Sequence, residues 1–258
     1  MLVDTHCHIH ESEFYSPEQQ KTVYDNAIKN NIDMICIATS EHGSKEAIDF
    51  VKDHSNTWAV LGVHPHETSA GIAKIGELLA ETHEKVVGIG EIGLDYYYMN
   101  SPPDVQIAAL EQQLQWAVDY NLPVSFHVRD SKEAERSVWD DFWPIVGNFS
   151  AIRGVLHSYT DGVAHLETAL ERGFYIGING ICTFTKDRSQ LEMFASVPLA
   201  NILLETDAPF LTPAPIRGTM NEPSNVGRVA ERVAILKDVS LDLVSTTTTD
   251  NARRLFTI

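Results

Sequence analysis

The sequence predicts an α/β protein in which eight parallel strands alternate with helices and close into a barrel. The first observation is a set of eight short apolar runs spread over the whole chain. Runs such as 34–38 and 202–204 are apolar at every position, which is typical of parallel strands covered on both faces. The second is that the intervening segments are long enough to return as crossover helices. The predicted fold is a (β/α)8 TIM-like barrel, with an open doubly wound sheet as the alternative.

The strands are predicted at the apolar runs 1–7, 33–39, 57–63, 86–92, 123–128, 152–157, 173–178 and 201–206. The clearest helix follows Ser101 and Pro102, has apolar residues every three or four positions, and ends near Asn121. Other helices are predicted at 17–30, 44–54, 69–83, 131–142, 161–172, 187–196, 222–237 and 240–250. No linker, repeat or low-complexity tract interrupts the alternation, so residues 1–258 are predicted to form one domain.

Composition limits the classes of partner. The chain has 36 acidic and 19 basic residues and a formal net charge of −17, which opposes long-range attraction of a polyanion. An extended duplex-binding surface is therefore not expected, although bound divalent cations would let a site hold a strand end. No apolar run is long enough to span a membrane and the first residues do not resemble a secretory signal. Three scattered cysteines without metal or redox spacing favour a reducing, cytoplasmic location.

Histidines and carboxylates stand at or just after the carboxyl ends of the predicted strands. Side chains alternate along a strand, so His6 and His8 share a face while Cys7 points away, and such a pair can hold a metal ion. A barrel brings the carboxyl ends of all strands around one mouth, whereas an open sheet spreads them along an edge. The residues so placed are His6, His8, His64, His66, Glu91, His127, His157 and Asp207. The remaining histidines are predicted in loops or on helix surfaces: His10, His42, His54, His83 and His165.

Five segments carry a resemblance to a known family. They are Asp4-Thr5-His6-Cys7-His8, Gly62-Val63-His64-Pro65-His66, Gly88-Ile89-Gly90-Glu91-Ile92-Gly93-Leu94-Asp95, Phe126-His127-Val128-Arg129-Asp130 and Leu204-Glu205-Thr206-Asp207-Ala208-Pro209-Phe210-Leu211-Thr212-Pro213. Together they resemble the TatD family of metal-dependent deoxyribonucleases in the amidohydrolase superfamily. The resemblance implies a TIM-like barrel that hydrolyses phosphodiesters with divalent metal, often as an exonuclease acting from a strand end. It also implies a set of metal ligands: His6, His8, Glu91, His127, His157 and Asp207.

Two segments depart from the family pattern. Members commonly read His-Cys-Phe-Ser-Gly after the sixth strand, where this chain has His157-Ser158-Tyr159-Thr160. The usual Arg-Gly-Lys-Arg-Asn-Glu-Pro appears here as Arg217-Gly218-Thr219-Met220-Asn221-Glu222-Pro223. The missing cations weaken the expected attraction to a nucleic-acid backbone.

The expected centre holds two divalent ions, Mg²⁺, Mn²⁺ or Zn²⁺. We expect His6 and His8 to hold one ion, His127 and His157 the other, and Glu91 to bridge them. Two ions about 3.5–4 Å apart share and activate a water in such sites. Asp207 is expected to bind one ion and to accept the proton of that water. The alternatives are a surface or helix-capping Glu91 and core histidines satisfied by backbone groups.

Substrate contacts are expected from residues at the same strand ends. His64 and His66 flank Pro65 and are expected to face the leaving group or a phosphate; the alternative is a solvated turn. Arg129 and Arg217 are candidate phosphate clamps, with surface salt bridges as the alternative. Asn179 and Thr183 follow the seventh strand, and Tyr96-Tyr97-Tyr98 offers rings for base stacking or a packed loop. Glu205 shares a strand face with Asp207 and is expected to orient a ligand or to fill the inner barrel layer.

Three hypotheses of function follow. The first is a two-metal hydrolase of DNA ends. The second keeps the metals but acts on a small phosphoester, a lactone, or an acylated amine or tRNA end, and the missing cations around Met220 are its main support. The third, a metal-binding scaffold without catalysis, predicts a broken ligand set, whereas all six positions are filled here.

Overall fold

The computed structural model describes residues 1–81, 83–131 and 136–258. Its strands form one eight-stranded parallel sheet in the order β1 to β8. Their bounds are β1 Leu2–Cys7, β2 Ile32–Ile37, β3 Thr57–Leu61, β4 Val86–Asp95, β5 Val124–Arg129, β6 Gly154–Leu156, β7 Tyr175–Ile178 and β8 Ile202–Leu204. A parallel bridge between Cys7 and Ala208 joins the first strand to the chain just after the last. The (β/α)8 TIM-like barrel is thereby confirmed.

Helices follow the strands around the barrel. Their bounds are α1 Pro17–Lys29, α2 Glu41–Asp53, α3 Ala73–Ala80, α4 Pro103–Asp119, α5 Trp139–Gly147, α6 Val163–Glu171, α7 Ile181–Phe184, α8 Arg188–Ser196, α9 Val226–Lys237 and α10 Leu241–Phe256. Short 3₁₀ turns lie at Pro65–Ala70, Leu199–Asn201 and Pro223–Asn225. No helix among the described residues is both long and apolar enough to cross a membrane.

Most predicted helices lie where the sequence indicates, and local chemistry explains their starts. At α1 the Ser16 side chain accepts a hydrogen bond from the Gln19 backbone N–H, the Gln19 side chain binds back to the Ser16 backbone, and Pro17 occupies the first turn. The helix predicted at 131–142 instead begins at Trp139, and its residues 132–135 lie outside the described residues. So does Thr82 of the helix predicted at 69–83.

Apolar side chains cover both faces of the strands, as the continuous apolar runs predict. Every residue of β2 and of β8 is buried. Phe126 on β5 packs against Phe142 of α5, with ring centroids 5.2 Å apart. A second apolar cluster joins Val3, Val155 and other strand residues to Phe256 of α10. The packed strands give the polar residues at their carboxyl ends a rigid base.

Candidate metal centre

The first pair of imidazoles lies at the end of β1 and faces the carboxylate that follows β8. His8 Nδ1 is 2.7 Å from the carbonyl oxygen of Ile37, which can only accept, so Nδ1 donates a proton there and Nε2 is the nitrogen that faces the centre. This Nε2 lies 3.3 Å from Oδ1 of Asp207. The Asp207 backbone N–H donates to the His6 carbonyl oxygen at 2.8 Å, which fixes the carboxylate beside β1.

His6 provides the clearest test of whether a cation fits. Its Nε2 lies 3.3 Å from Oε2 of Glu91 and 3.8 Å from Oδ1 of Asp207. The side chain is buried, and this nitrogen has no hydrogen-bond partner among the described residues. A buried imidazole nitrogen without a partner is costly unless something binds it. Together with two carboxylates, it offers the donor set that a divalent cation prefers.

His157 follows β6 and stacks on His6 with ring centroids 3.4 Å apart. Its Nδ1 lies 3.0 Å from Oε1 of Glu205, which also accepts hydrogen bonds from the Ser158 backbone N–H at 2.7 Å and the Asn179 side chain at 3.3 Å. The Glu205 carboxylate therefore pairs with the Nδ1 side of the His157 ring, and Nε2 faces the centre. That Nε2 lies 3.7 Å from Oδ1 of Asp207 and 3.9 Å from Oε1 of Glu91.

The long strand β4 carries Glu91 and Asp95 on one face, and His127 on β5 lies against both. His127 Nδ1 is 2.9 Å from Oε1 of Glu91, and Nε2 is 3.0 Å from Oδ2 of Asp95. His66 Nε2 donates to the same Asp95 oxygen at 2.9 Å. The two strands approach so closely that a Cβ at Gly93 would collide with the His127 carbonyl oxygen. Asp95 thus orients His127 as Glu205 orients His157, and leaves Nδ1 of His127 for the centre.

His64 completes this side of the centre. Its Nδ1 accepts a hydrogen bond from the His66 backbone N–H at 3.2 Å, and its Nε2 lies 3.7 Å from Oε1 of Glu91. Burial and the neighbouring His127 hold the pKa of His64 well below its usual value. The neutral ring therefore carries its proton on Nε2, directed at the carboxylate.

Charge balance in the metal-free centre keeps the carboxylates ionised. Burial alone would raise the pKa of Glu91, but the surrounding imidazoles, including His157 and the hydrogen-bonded His127, hold it well below its usual value. The pKa of Asp207 is likewise lowered, because its contact with His8 outweighs burial. Burial lowers the pKa of His157, yet Glu205 and Glu91 raise it to about 10. The raised pKa of His157 and the lowered pKa values of Glu91 and Asp207 thus pair a cation with anions inside the site.

Among the described residues, three sets place their donor atoms within 4.8 Å of one another. They are His6, His8 and Asp207; His6, His157 and Glu205; and His64, Glu91 and His127. The sequence-based division paired His127 with His157, whereas the structure puts His157 against His6 and brings His64 beside Glu91 and His127. How the ligands divide between ions therefore stays a prediction.

The centre opens into a cavity of about 730 Å³ at the carboxyl ends of the strands. His64, His66 and Arg129 line this cavity, as the sequence predicts for substrate contacts. The Arg129 guanidinium lies over the rings of Tyr97 and Tyr98, at 4.4 and 4.7 Å from their centroids.

Arg217 and Asn179, which are also predicted as substrate contacts, bind other groups of the protein. Arg217 donates to the Thr212 carbonyl oxygen at 2.8 Å and lies 3.7 Å over the Phe184 ring. Asn179 is buried and its amide donates to Ser158 Oγ at 2.8 Å and to Glu205. Arg217 therefore stabilises the loop after β8, and Asn179 donates a hydrogen bond to Glu205, the carboxylate that contacts His157.

Two acidic residues of the site were missed by sequence reasoning. β4 continues beyond the predicted end at residue 92 and therefore includes Asp95. The signal available in the sequence was the spacing of four residues between Glu91 and Asp95, which puts both side chains on one face of a strand. Glu11 is buried beside His8, and its Oε1 accepts from Thr39 Oγ1 at 3.0 Å. His10, predicted in a loop or on a surface, lies in the turn after β1 and is buried there.

A parallel barrel with imidazoles and carboxylates gathered at the carboxyl ends of its strands defines the class of barrel hydrolases that use metal ions. The family model described as TatD related DNase matches residues 3–257. The chain belongs to the TatD family and is a metal-dependent hydrolase.

Relatives and solved structures agree with this assignment. The uncharacterized metal-dependent hydrolase YabD of Bacillus subtilis is 34% identical over 263 residues, covering 100% of both chains. The 3'-5' ssDNA/RNA exonuclease TatD of Erwinia amylovora is 34% identical over 231 residues, covering 86% of this chain and 87% of the relative. The crystal structure of YJJV, a TatD homolog from Escherichia coli, superposes with a TM-score of 0.89 at 25% identity, covering 100% of this chain and 98% of that one.

Proposed function

We propose that this chain is a two-metal exonuclease that hydrolyses phosphodiester bonds at the ends of single-stranded DNA. The observation that carries the proposal is the convergence of three imidazole Nε2 atoms, from His6, His8 and His157, on Oδ1 of Asp207 at 3.3–3.8 Å. Two relatives that match 86% and 87% of the chain are named 3'-5' ssDNA/RNA exonuclease TatD, which supports this substrate class.

The proposed ligands are the six residues that the family resemblance implies, and Glu91 would contribute to both ions. Divalent cations held there would lower the pKa of a water molecule and polarise a phosphoryl oxygen. Asp207 stays anionic in its ring of imidazoles and can accept the proton of the attacking water. Neutral His64 can donate from Nε2 to a phosphate or leaving-group oxygen, and the Arg129 guanidinium offers paired donors to the phosphate.

The test is hydrolysis of a labelled single-stranded oligonucleotide with Mg²⁺, Mn²⁺ or Zn²⁺, with and without chelator. We expect nucleotides to be released from an end, and Glu91→Gln and His127→Ala to lower the rate at least about 100-fold, since they remove groups that act together. Glu111→Gln on the exposed face of α4 is the matched control and should digest like the parent. Equal digestion by all variants would disprove the assigned centre.

A second candidate, a small phosphoester hydrolase, is favoured by the charge at the mouth. Glu11, Glu13, Glu46 and Glu67 line the cavity together with Arg129, and this acidic side repels a long polyanion. A panel of small phosphodiesters, lactones and acylated amines or tRNA ends separates the candidates. Metal-dependent turnover of a panel member without release of nucleotides from DNA would support the second.

We further propose that residues 1–258 act as one domain, as the single eight-stranded sheet suggests. A cytoplasmic location is proposed from the three cysteines, all of which are free and buried. Limited proteolysis and a thiol-labelling assay after denaturation would test these two proposals.

A further inference from the structure

Aromatic residues lie on opposite sides of the cavity mouth and form two surfaces, which we call walls. The first wall consists of Phe14 and Phe210, and the second of Tyr98 beside Arg129. Phe14 lies in the loop after β1 and Phe210 in the loop after β8, and their rings meet edge to face at 5.2 Å. Tyr98 lies in the loop after β4, beside Arg129 at the end of β5. In a barrel ordered β1 to β8, the β1–β8 junction lies across the mouth from the β4–β5 junction. The metal centre therefore lies between the two walls.

Each wall is hydrogen-bonded to an acidic residue beside the centre. The Phe210 backbone N–H donates to the Asp207 carbonyl oxygen at 2.7 Å, and the rings of Phe14 and Phe210 lie 6.4 and 6.3 Å from the His8 ring. On the other side, the Tyr98 backbone N–H donates to Oδ1 of Asp95 at 2.9 Å. Both walls are thus held in place before substrate arrives.

The aromatic side chains at the mouth are partly exposed. Phe210 is 46% exposed and Tyr98 is 53% exposed, although both line the cavity. Arg129 lies against the Tyr98 ring, and no hydrogen bond or ion pair joins its guanidinium to any other residue within 1–81, 83–131 and 136–258. The second wall therefore combines a ring with a cation that can bind phosphate.

We propose that these walls clamp the two nucleobases that flank the scissile phosphate, one base on Phe14 and Phe210 and the other on Tyr98. The clamp rests on the proposed exonuclease function and defines its substrate further. Because every base has a π-face, stacking tolerates all sequences. Paired bases are already stacked inside a duplex, so the substrate must present two unpaired nucleotides at its end.

The variants remove one wall at a time. Phe210→Leu and Tyr98→Leu keep apolar volume but lose the ring, whereas Tyr98→Phe keeps it. Ile235→Ala, on an α9 side chain that is 70% exposed and outside the cavity lining, is the control. Substrates are an intact single-stranded oligonucleotide, two versions with one abasic site at the terminal or next position of the attacked end, and one with both positions abasic.

We expect each leucine variant to lower kcat/KM on the intact strand roughly 5- to 150-fold, the contribution of one base stack. For the parent, an abasic site in place of the base that a wall holds should lower kcat/KM by the same factor. For the variant that lacks the ring of that wall, the same abasic site should lower kcat/KM no further. Phe210→Leu should couple to one position and Tyr98→Leu to the other. All proteins should cleave the doubly abasic strand alike, and Tyr98→Phe and Ile235→Ala should match the parent.

Binding of labelled oligonucleotides with non-hydrolysable linkages to the metal-loaded proteins, followed by fluorescence anisotropy, gives a readout independent of turnover and should show the same coupling. The clamp is overturned if neither base couples to its wall, or if both walls couple to one base, while the parent digests the intact strand. A parent that turns over small esters but no oligonucleotide would refute the exonuclease function itself, and the clamp with it.

Discussion

Glu205 offers the sharpest test of how the centre is organised. It does not line the cavity at the centre, yet its Oε1 lies 3.0 Å from His157 Nδ1 and accepts hydrogen bonds from the Ser158 backbone N–H and the Asn179 side chain. Carboxylates placed behind a metal-binding imidazole typically contribute 10- to 100-fold to metal affinity, about 1.4–2.8 kcal/mol. Glu205→Gln keeps the volume and one acceptor oxygen but removes the charge, so we expect about a 10-fold loss of affinity.

Two further variants separate orientation from charge. Glu205→Ala leaves the Ser158 N–H and the Asn179 amide without their acceptor, so it should lower metal affinity about 100-fold and also cost about 1–3 kcal/mol of stability. A Cβ at Gly177 would collide with Oε2 of Glu205, so Gly177→Ala should displace the intact carboxylate and reduce affinity as well. Gly227→Ala is the matched control, because nothing lies within 4 Å of its added Cβ.

The assay is titration of the metal-free proteins with Mn²⁺ or Zn²⁺ by calorimetry, together with thermal unfolding in chelator. Glu205→Gln should unfold near the parent's temperature while binding metal more weakly. Parental affinity in both Glu205→Gln and Gly177→Ala would refute the argument that Glu205 orients a ligand. An equal loss in Gly227→Ala would show that the assay reports general damage.

Three other predictions concern the loaded centre. Chelation should lower the free energy of unfolding by about 2.7 kcal/mol relative to metal at 100 times Kd, and the Tm by roughly 5–10 °C in calorimetry; an unchanged Tm would argue against bound metal. Carboxylates outweigh burial and raise the pKa of His8 to about 9 and of His157 to about 10, so both are protonated at pH 7 and must lose protons to bind metal. Metal affinity should therefore rise from pH 7 to about 10, with proton release seen by calorimetry in buffers of different ionisation enthalpy, and a flat profile would contradict this. Asp95→Asn weakens the acceptor that holds His66 and His127, so kcat on single-stranded DNA should fall roughly 10- to 100-fold, and a parental kcat would mean that His127 is oriented by Glu91 alone.

Much of the fold was predictable because it depends on local patterns. Continuous apolar runs such as 202–204 specify strands buried on both faces, and period-two alternation puts His6 and His8 on one face. Convergence of the strand ends then follows from barrel topology alone. These inferences need no knowledge of any particular side-chain contact.

The substrate contacts were less predictable, because a polar side chain can instead bind protein groups that are distant in sequence. The sequence suggests that Arg217 binds phosphate, but its guanidinium donates to the Thr212 carbonyl oxygen and lies over the Phe184 ring. The length of β4 was missed because Gly93 interrupts the apolar run, although this glycine is what lets β4 and β5 approach. Asp95 was consequently left without a role.

The acidic mouth and the proposed polyanionic substrate are compatible if the strand approaches from one side. Glu13, Glu46 and Glu67 belong to segments that follow β1, β2 and β3, whereas Arg129 ends β5 across the mouth. A backbone phosphate is repelled by the first group and attracted by Arg129 and by cations at the centre. A continuous strand would have to cross the acidic side, but a strand end would not. The charge distribution thus favours attack at an end and makes attraction of the substrate depend on metal loading.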